Sequence, residues 1–151
     1  MTQLSVEQLE QWKIRSLLLD VDSTLKHFGA AEPAPDVVAW LETMKSAQIG
    51  LCIVSNGAPR RIRRFAESIG IPFVAPALKP FPIGCRKAMR RMSFNPQTTA
   101  MVGDQLFADV VAARLAGITA ILVKPIFPEL EPLWTRIKRP FEKMIDQTTD
   151  G

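Results

Sequence analysis

Cysteine, histidine and tyrosine are scarce or absent in this sequence, and the shortage of cysteine excludes one class of protein. The 151 residues include two cysteines, one histidine and no tyrosine. Two cysteines cannot form the disulfide framework of a small secreted domain. Cys52 lies within an apolar run and Cys85 lies alone in a predicted helix. We therefore expect both thiols to be buried apolar side chains in a protein of the reducing cytoplasm.

Long hydrophobic runs are also lacking. No stretch approaches the ~20 consecutive apolar residues of a membrane-spanning helix, and residues 1–10 lack the basic and then apolar pattern of an export signal. We therefore expect a soluble, unexported protein. Hydrophobic residues still make up 47% of the chain, which is enough for the core of one compact domain.

The net charge of +4 indicates an anionic partner. That partner could be a phosphorylated small molecule, a nucleic acid or an acidic membrane surface. The arginines are not interleaved with stacking aromatic residues, which argues against a nucleic-acid module. The aromatic residues and methionines show no spacing typical of a cofactor site, so core packing is the expected role for most of them.

Apolar runs of strand length alternate with segments of helical periodicity along most of the chain. The predicted strands cover residues 14–19, 51–54, 71–75, 99–102 and 119–123. Helices are predicted after a capping box at Ser5–Gln8, over 37–48, from Pro59 onward, over 83–92 and up to Gly117. This alternation is typical of an α/β, Rossmann-like fold with a mostly parallel five-stranded sheet and helices on both faces.

Helix ends and composition divide the chain further. Asp36 is placed to cap the helix over 37–48, and Gly50 is placed to stop it. We expect residues 1–13 to form a leading helix. The proline-containing segment 125–151 is expected to be a C-terminal extension with a frayed tail.

Polar residues follow each of the first four predicted strands. They are Asp20 and Asp22 after the first strand, Ser55 and Asn56 after the second, Lys79 after the third, and Asp104 and Asp109 after the fourth. Each short motif alone is common in turns and helix caps. In a parallel α/β sheet, however, ligands bind beyond the carboxyl ends of the strands. The order and placement of these residues together predict one polar site at that edge.

The motifs around these residues resemble those of the haloacid dehalogenase superfamily. They are DVDSTL at 20–25, VSN at 54–56, KP at 79–80 and GDQLFAD at 103–109. The resemblance covers about residues 14–124, which we take as the catalytic domain. The last motif and the arginine-rich helix after Asn56 are similar to the YqeG group of subfamily IIIA phosphatases, which is related to mitochondrial phosphatidylglycerophosphate phosphatase. This resemblance implies hydrolase chemistry and Mg²⁺.

The resemblance also implies a role for each carboxylate. Asp20 would attack phosphorus and form an aspartyl-phosphate, which divides one difficult hydrolysis into two easier steps. Asp22 would protonate the leaving oxygen and then deprotonate the attacking water. Asp20, Asp104 and the backbone carbonyl of Asp22 would bind Mg²⁺. Asp109 would support the metal ligands rather than lead them.

The phosphate would be held by polar groups from the neighbouring loops. Ser55 would donate to a phosphoryl oxygen, and Lys79 would supply a fixed positive charge. Thr24 and Asn56 are expected helpers in phosphate binding. His27, the sole histidine, is interpreted as an ordinary residue of the loop after the first strand rather than as an acid or base.

No cap domain is expected, because the segments 22–55 and 56–79 are short and mostly helical. Ser23 and Gly57 stand where the YqeG group usually has asparagine, and neither is expected to carry the chemistry. A site without a lid suits substrates whose bulk stays outside, or requires a lid from a partner.

The leading expectation is a phosphatase of large or surface-displayed phosphomonoesters, with phosphatidylglycerophosphate as the specific choice by analogy. An anionic membrane surface would then be a second partner, contacted by the arginines of Arg60–Arg64 or by the apolar and basic residues of 127–139. The alternatives are a solvated helix face for the arginines and packing onto the domain for 127–139. Two alternatives stay open: a phosphatase of soluble sugar phosphates or nucleotides, and a catalytically idle binding domain. The clustered carboxylates argue against the idle domain. The oligomeric state is left open.

Overall fold

The computed structural model describes residues 2–22, 24–25 and 32–124. Within them, one sheet consists of β1 (Ser16–Leu19), β2 (Gly50–Val54), β3 (Phe73–Val74), β4 (Thr99–Gly103) and β5 (Thr119–Leu122). The strand order is β3-β2-β1-β4-β5 and every pair is parallel. The predicted α/β class is confirmed, and the sheet is entirely rather than mostly parallel. The predicted C-terminal extension, Ser23 and His27 lie outside the described residues.

Helices connect the strands in the order that the sequence periodicity predicts. They are α1 (Val6–Gln11), α2 (Pro35–Ser46), α3 (Pro59–Ile69), α4 (Ile83–Met92) and α5 (Val111–Ala116). A 3₁₀ helix (Pro96–Thr98) precedes β4, and a π-helical turn (Leu106–Val110) leads into α5. The predicted capping box is present at α1, where the Gln8 amide donates to the Ser5 hydroxyl at 3.2 Å and the Ser5 amide donates to the Gln8 side chain at 2.9 Å.

Alternating side chains of β1 build a core on each face of the sheet. Leu17 and Leu19 belong to one core, which includes residues of α1, α2 and α3, while Leu18 belongs to the other, which includes residues of α4 and α5. Cys52 and Cys85 are free thiols within the second core. Burial raises the pKa of both thiols to about 11, so they stay protonated as the predicted apolar side chains.

The two ends predicted for α2 are wrong. Ala34 occupies the N-cap position, and Pro35 begins the helix. Proline suits that first position because its fixed φ is helical and its missing N–H is not needed there. Asp36 lies in the first turn, where its charge faces the positive end of the helix dipole. The chain leaves the helix through Gln48 at φ 60°, and Gly50 opens β2 instead of stopping α2.

The leading helix packs on the domain that follows it. Leu9 is fully buried in the core shared with α2 and α3, and the Trp40 indole N–H donates to the Leu4 carbonyl at 2.7 Å. Among the described residues, no further domain is inserted between β1 and α2 or between β2 and β3. No helix in the described part of the chain has the length and apolar character that crossing a membrane requires.

Candidate active site

Four charged side chains meet beyond the carboxyl ends of the central strands. Asp20 follows β1, Lys79 lies in the loop after β3, Asp104 follows β4 and Asp109 lies in the π-helical turn. All four residues are buried, with 2% to 7% of their surface exposed. One carboxylate oxygen from each aspartate lies within 4.8 Å of the other two. The predicted convergence of these residues is therefore present in the fold.

Lys79 joins two of these carboxylates. Its ammonium donates to Oδ1 of Asp20 at 2.7 Å and to Oδ1 of Asp109 at 2.7 Å. Charge-assisted hydrogen bonds of this length are among the strong ones in proteins. Because the Lys79 side chain is only 3% exposed, water screens these contacts weakly. Lys79 is thus a fixed positive charge beside Asp20.

Burial and charge oppose each other within this cluster. Burial raises the pKa of Asp20 to about 6, although the Lys79 ammonium acts against that rise. Burial lowers the pKa of Lys79, but the Asp109 and Asp20 carboxylates outweigh it, so the pKa of Lys79 lies above its ordinary value. Lys79 is therefore held in its charged form.

Two local backbone features, a π-helical turn and a nearby glycine, place Asp109 in the cluster. It lies in the π-helical turn, and its Oδ2 accepts a hydrogen bond of 3.0 Å from the Gln105 amide. A Cβ on Gly103 would collide with the Asp109 carboxylate and lie 2.8 Å from its Cβ. Glycine at the end of β4 therefore makes the close approach of Asp109 possible.

The donor set fits a divalent metal ion. Asp20, Asp104 and Asp109 offer only oxygen ligands, which hard cations prefer. Three carboxylates and one ammonium lie together in this buried site, and a divalent cation among the carboxylate oxygens would offset the cost of burying them. The predicted contribution of the Asp22 backbone carbonyl stays a prediction.

Ser55 and Thr24 line the same edge of the sheet. Ser55 is 2% exposed at the end of β2, and its hydroxyl oxygen accepts from the Gly57 amide at 3.1 Å. The Ser55 hydroxyl proton can then be donated to another acceptor. The buried Thr24 hydroxyl donates to Oδ1 of Asp104 across 3.5 Å.

Asn56 contacts the Lys79 backbone, and its predicted role in phosphate binding stays a prediction. Its side-chain NH₂ donates to the Lys79 carbonyl at 2.8 Å, and its side-chain oxygen accepts from the Lys79 amide at 2.8 Å. This reciprocal pair ties the loop after β2 to the loop after β3. In this arrangement Asn56 holds the Lys79 backbone, which orients the ammonium.

Asp22 is paired with Arg61, and the sequence analysis missed this contact. The guanidinium donates from Nη1 to Oδ1 at 2.8 Å and from Nη2 to Oδ2 at 2.7 Å. Arg61 thus contacts the site in this structure, and the expected membrane contact of the Arg60–Arg64 arginines stays a prediction. Arg60, Arg63 and Arg64 remain exposed on α3. Two sequence signals could have indicated this contact: a glycine before the helix and arginines in a first turn that lacks acidic residues.

Comparison with known proteins adds an independent line of argument. A family model described as haloacid dehalogenase-like hydrolase matches residues 9–117. A Bacillus subtilis protein named "Probable phosphatase YqeG" is 32% identical over 142 residues, which are 94% of this chain and 82% of that protein. A glyceraldehyde 3-phosphate phosphatase of Methanothermobacter thermautotrophicus is 28% identical over 117 residues, which are 69% of this chain and 50% of that protein.

A solved structure shares the fold. It is the cobalt-bound form of the deoxy-D-mannose-octulosonate 8-phosphate phosphatase YrbI from Haemophilus influenzae. It superposes with a TM-score of 0.61 at 20% identity, and the match covers 85% of this chain and 75% of that chain. At this identity the likeness supports the architecture alone.

Proposed function

Because the chain belongs to the haloacid dehalogenase-like hydrolase family and is a phosphatase, we propose that it hydrolyses phosphomonoesters through an aspartyl-phosphate on Asp20, with Mg²⁺ as its cofactor. The arrangement of Asp20, Asp104 and Asp109 around Lys79 supports this proposal most strongly. The residues present fit the metal, and Mg²⁺ in this donor set would supply Lewis-acid stabilisation of phosphoryl charge.

In the first chemical step, a carboxylate oxygen of Asp20 attacks phosphorus and the bond from phosphorus to the ester oxygen breaks. Lys79 holds one oxygen of Asp20 at 2.7 Å, which orients the other for attack. Asp22 gives a proton to the departing oxygen, so an alcohol leaves and an aspartyl-phosphate remains.

In the second step, water attacks phosphorus of the aspartyl-phosphate and transfers its proton to Asp22. The bond from phosphorus to Asp20 breaks, which restores the carboxylate and releases inorganic phosphate. The Ser55 hydroxyl and the Lys79 ammonium stabilise the phosphoryl oxygens during both steps. We propose that Thr24 helps at the same edge and that Asn56 acts by holding Lys79 in place.

An activity assay with a trapping step tests the mechanism. Wild-type protein should hydrolyse a phosphomonoester in the presence of Mg²⁺ and, after acid quenching, should carry radiolabelled phosphate from the substrate. Asp20→Asn should lose both signals, since an amide is a poor nucleophile and a poor metal ligand. Asp36→Asn is the matched control, because Asp36 is exposed on α2. Turnover or labelling at wild-type levels in Asp20→Asn would refute the mechanism.

We further propose that the substrate is a phospholipid such as phosphatidylglycerophosphate, met at an anionic membrane surface by a cytoplasmic, peripheral protein. Residues 14–124 would carry the catalysis, with 1–13 packed against them. Three features support this choice. No inserted domain covers the site among the described residues. Arg60, Arg63 and Arg64 are exposed on the helix that follows β2. Large apolar side chains are also exposed after β3 and β4, namely Leu78, Phe81, Ile83 and Phe107 at 48% to 62%.

Liposome binding separates the lipid proposal from the chemistry. The protein should sediment with anionic but not neutral liposomes at low salt, and release them by about 0.5 M salt, where the Debye length is roughly 4 Å. Replacing Arg60, Arg63 and Arg64 together by glutamine should abolish binding while sparing hydrolysis of soluble esters. Arg61 is left unchanged because it contacts Asp22. Absence of binding to anionic liposomes at low salt would overturn the lipid proposal.

A phosphatase of small soluble phosphates is the second candidate, and one observation favours it. The Methanothermobacter thermautotrophicus relative is named for a small soluble substrate, although half of that protein lies outside the match. A screen of sugar phosphates and nucleotides alongside lipid phosphates in mixed micelles compares the two directly. Higher kcat/KM on a soluble phosphate than on the lipid phosphate would favour this candidate.

A further inference from the structure

Asp22 and Arg61 form a bidentate salt bridge with well-defined geometry. The guanidinium forks onto both carboxylate oxygens at 2.8 and 2.7 Å, which is the bidentate arrangement that fixes a carboxylate in position and orientation. Asp22 lies after β1 and Arg61 lies in the first turn of α3, 39 positions apart in the sequence. The Arg61 side chain is 36% exposed and the Asp22 side chain is 20% exposed, so the pair lies at the open side of the site.

Gly57 makes this contact possible. A Cβ at position 57 would collide with Nη2 of Arg61 and would lie 2.8 Å from Cδ1 of Ile62. Gly57 does not have a positive φ, so the backbone conformation does not require glycine at this position. The missing side chain therefore provides the space in which the guanidinium lies.

Arg61 lies at a position on α3 that is electrostatically unfavourable for a cation. Arg60 and Arg61 lie in the first turn, where the helix dipole disfavours cations, and that turn contains no acidic residue. The Asp22 carboxylate supplies the compensating charge for Arg61 from outside the helix. The hydrogen bonds that Arg61 donates to Asp22 raise the pKa of the guanidinium, with burial acting against them.

We propose that Arg61 is a positioning residue that fixes the Asp22 carboxylate for proton transfer to the leaving group, and that Gly57 keeps the space for it. This inference rests on the proposed role of Asp22 as acid and base. A carboxylate has about four lone-pair sites, and Arg61 occupies two of them. Each oxygen therefore keeps a site for the transferred proton, while its direction is set by the guanidinium. Without Arg61, the Asp22 side chain would sample several rotamers, of which few would suit proton transfer.

A mutant cycle tests whether Arg61 acts through Asp22. With glycerol phosphate, whose leaving group needs a proton, Arg61→Gln should lower kcat about tenfold and change KM less than about twofold. With para-nitrophenyl phosphate, whose leaving group is acidic, the loss should be smaller. In an Asp22→Asn background, Arg61→Gln should have no further effect on either substrate. An equal loss in both backgrounds, or a raised KM in the Asp22→Asn background, would show that Arg61 binds substrate directly and would overturn the proposal.

Two more variants probe the geometry. Gly57→Ala should reproduce the kinetic defect of Arg61→Gln and should add nothing to it in the double variant, because its Cβ displaces the same guanidinium. Arg61→Lys keeps the charge but loses the fork, so it should stay close to Arg61→Gln. Full activity in Arg61→Lys would refute positioning by a bidentate contact, and wild-type kinetics in Gly57→Ala would refute the role of Gly57.

Arg90→Gln is the matched control, since Arg90 is exposed on α4 and takes the same substitution, and its activity on both soluble esters should equal wild type. Thermal melting of every variant checks the fold.

The proposed role of Asp22 and the positioning role of Arg61 fail in distinguishable ways. Equal losses of Asp22→Asn on both esters would refute Asp22 as the acid. A selective loss in Asp22→Asn combined with wild-type kinetics in Arg61→Gln would refute the positioning role alone.

Discussion

The site contains two clusters of ion pairs that differ in their exposure to water. In the inner cluster, Lys79 bridges Asp20 and Asp109, and these side chains are 3%, 11% and 3% exposed. In the outer pair, the side chains of Arg61 and Asp22 are 36% and 20% exposed. The hydrogen bonds in both are equally short, between 2.7 and 2.8 Å. Distance alone therefore does not distinguish them, and the surrounding solvent does.

This difference separates two tasks. A buried charge that lost its partner would stay uncompensated away from water at a large cost, so the inner cluster keeps the proposed nucleophile and metal ligands in one arrangement. The outer pair lies where water can enter and protons can leave, which suits the acid and base role proposed for Asp22. The inner cluster stabilises the folded protein only while its charges are balanced.

Removing Lys79 should produce the largest effect. Lys79→Met should destabilise the protein by about 3–5 kcal/mol, because the Asp20 and Asp109 carboxylates would remain buried without their counter-charge. Activity should fall by about 10²–10³-fold. Chemical denaturation and a Mg²⁺-dependent assay measure the two effects. Lys87→Met, on the exposed face of α4, should change neither. An unchanged unfolding free energy in Lys79→Met would mean that the cluster is not held together by charge.

Mg²⁺ should stabilise the inner cluster specifically. At a concentration of about 100 Kd it should add about 2.7 kcal/mol, or roughly 5–10 °C in melting temperature. The shift should vanish in Asp104→Asn, which removes one of the three carboxylates. Arg61→Gln should keep the full shift, since Arg61 belongs to the outer pair. A shift in melting temperature that depends on Arg61 and not on Asp104 would place the metal at the outer pair and would contradict this prediction.

The approach of Asp109 should depend on the missing side chain at position 103. Gly103→Ala should cost about 1–3 kcal/mol and reduce activity, because the added Cβ collides with the Asp109 side chain. Asp109→Gly removes the colliding atoms, so adding Gly103→Ala to it should cost less than in the wild-type background. Equal costs in both backgrounds, measured by denaturation, would mean that the collision is not the cause.

Breaking the outer pair should have the smallest effect on stability. Arg61→Gln should change the unfolding free energy by about 0.2–1 kcal/mol, as expected for an ion pair that is partly open to water. The difference from wild type should shrink as salt is raised, because screening weakens an accessible pair. Denaturation at low and high salt measures this. A loss as large as that of Lys79→Met would remove the distinction between the two clusters.

Much of this fold could be predicted because its signals are local. The apolar runs around Leu17 and Leu51 and the helical spacing over 83–92 predict elements that the structure confirms. The convergence of Asp20, Lys79 and Asp104 follows from one further rule, that parallel strands end at the same edge. Pattern and topology together were therefore sufficient for the inner cluster.

Periodicity alone could not predict the outer pair, because the pair depends on the space between elements. Nothing in the periodicity of α3 distinguishes Arg61 from its exposed neighbours Arg60 and Arg64. The distinction arises from the rotation of α3 against the loop after β1 and from the missing Cβ of Gly57. The place of Asn56 depends similarly on how two loops meet. The π-helical turn is also invisible to a pattern based on the ordinary helical period.

The central place of β1 in the sheet has a consequence for how the chain folds during synthesis. Its partner β2 follows after one helix, but its other partner is β4, and Thr99 comes 83 residues after Ser16. A ribosome adding about 5–20 residues per second needs roughly 4–17 seconds to synthesise that length of chain. Until then, one edge of an apolar strand stays unpaired and can associate with other nascent chains. The need for a chaperone should therefore be greatest before β4 emerges.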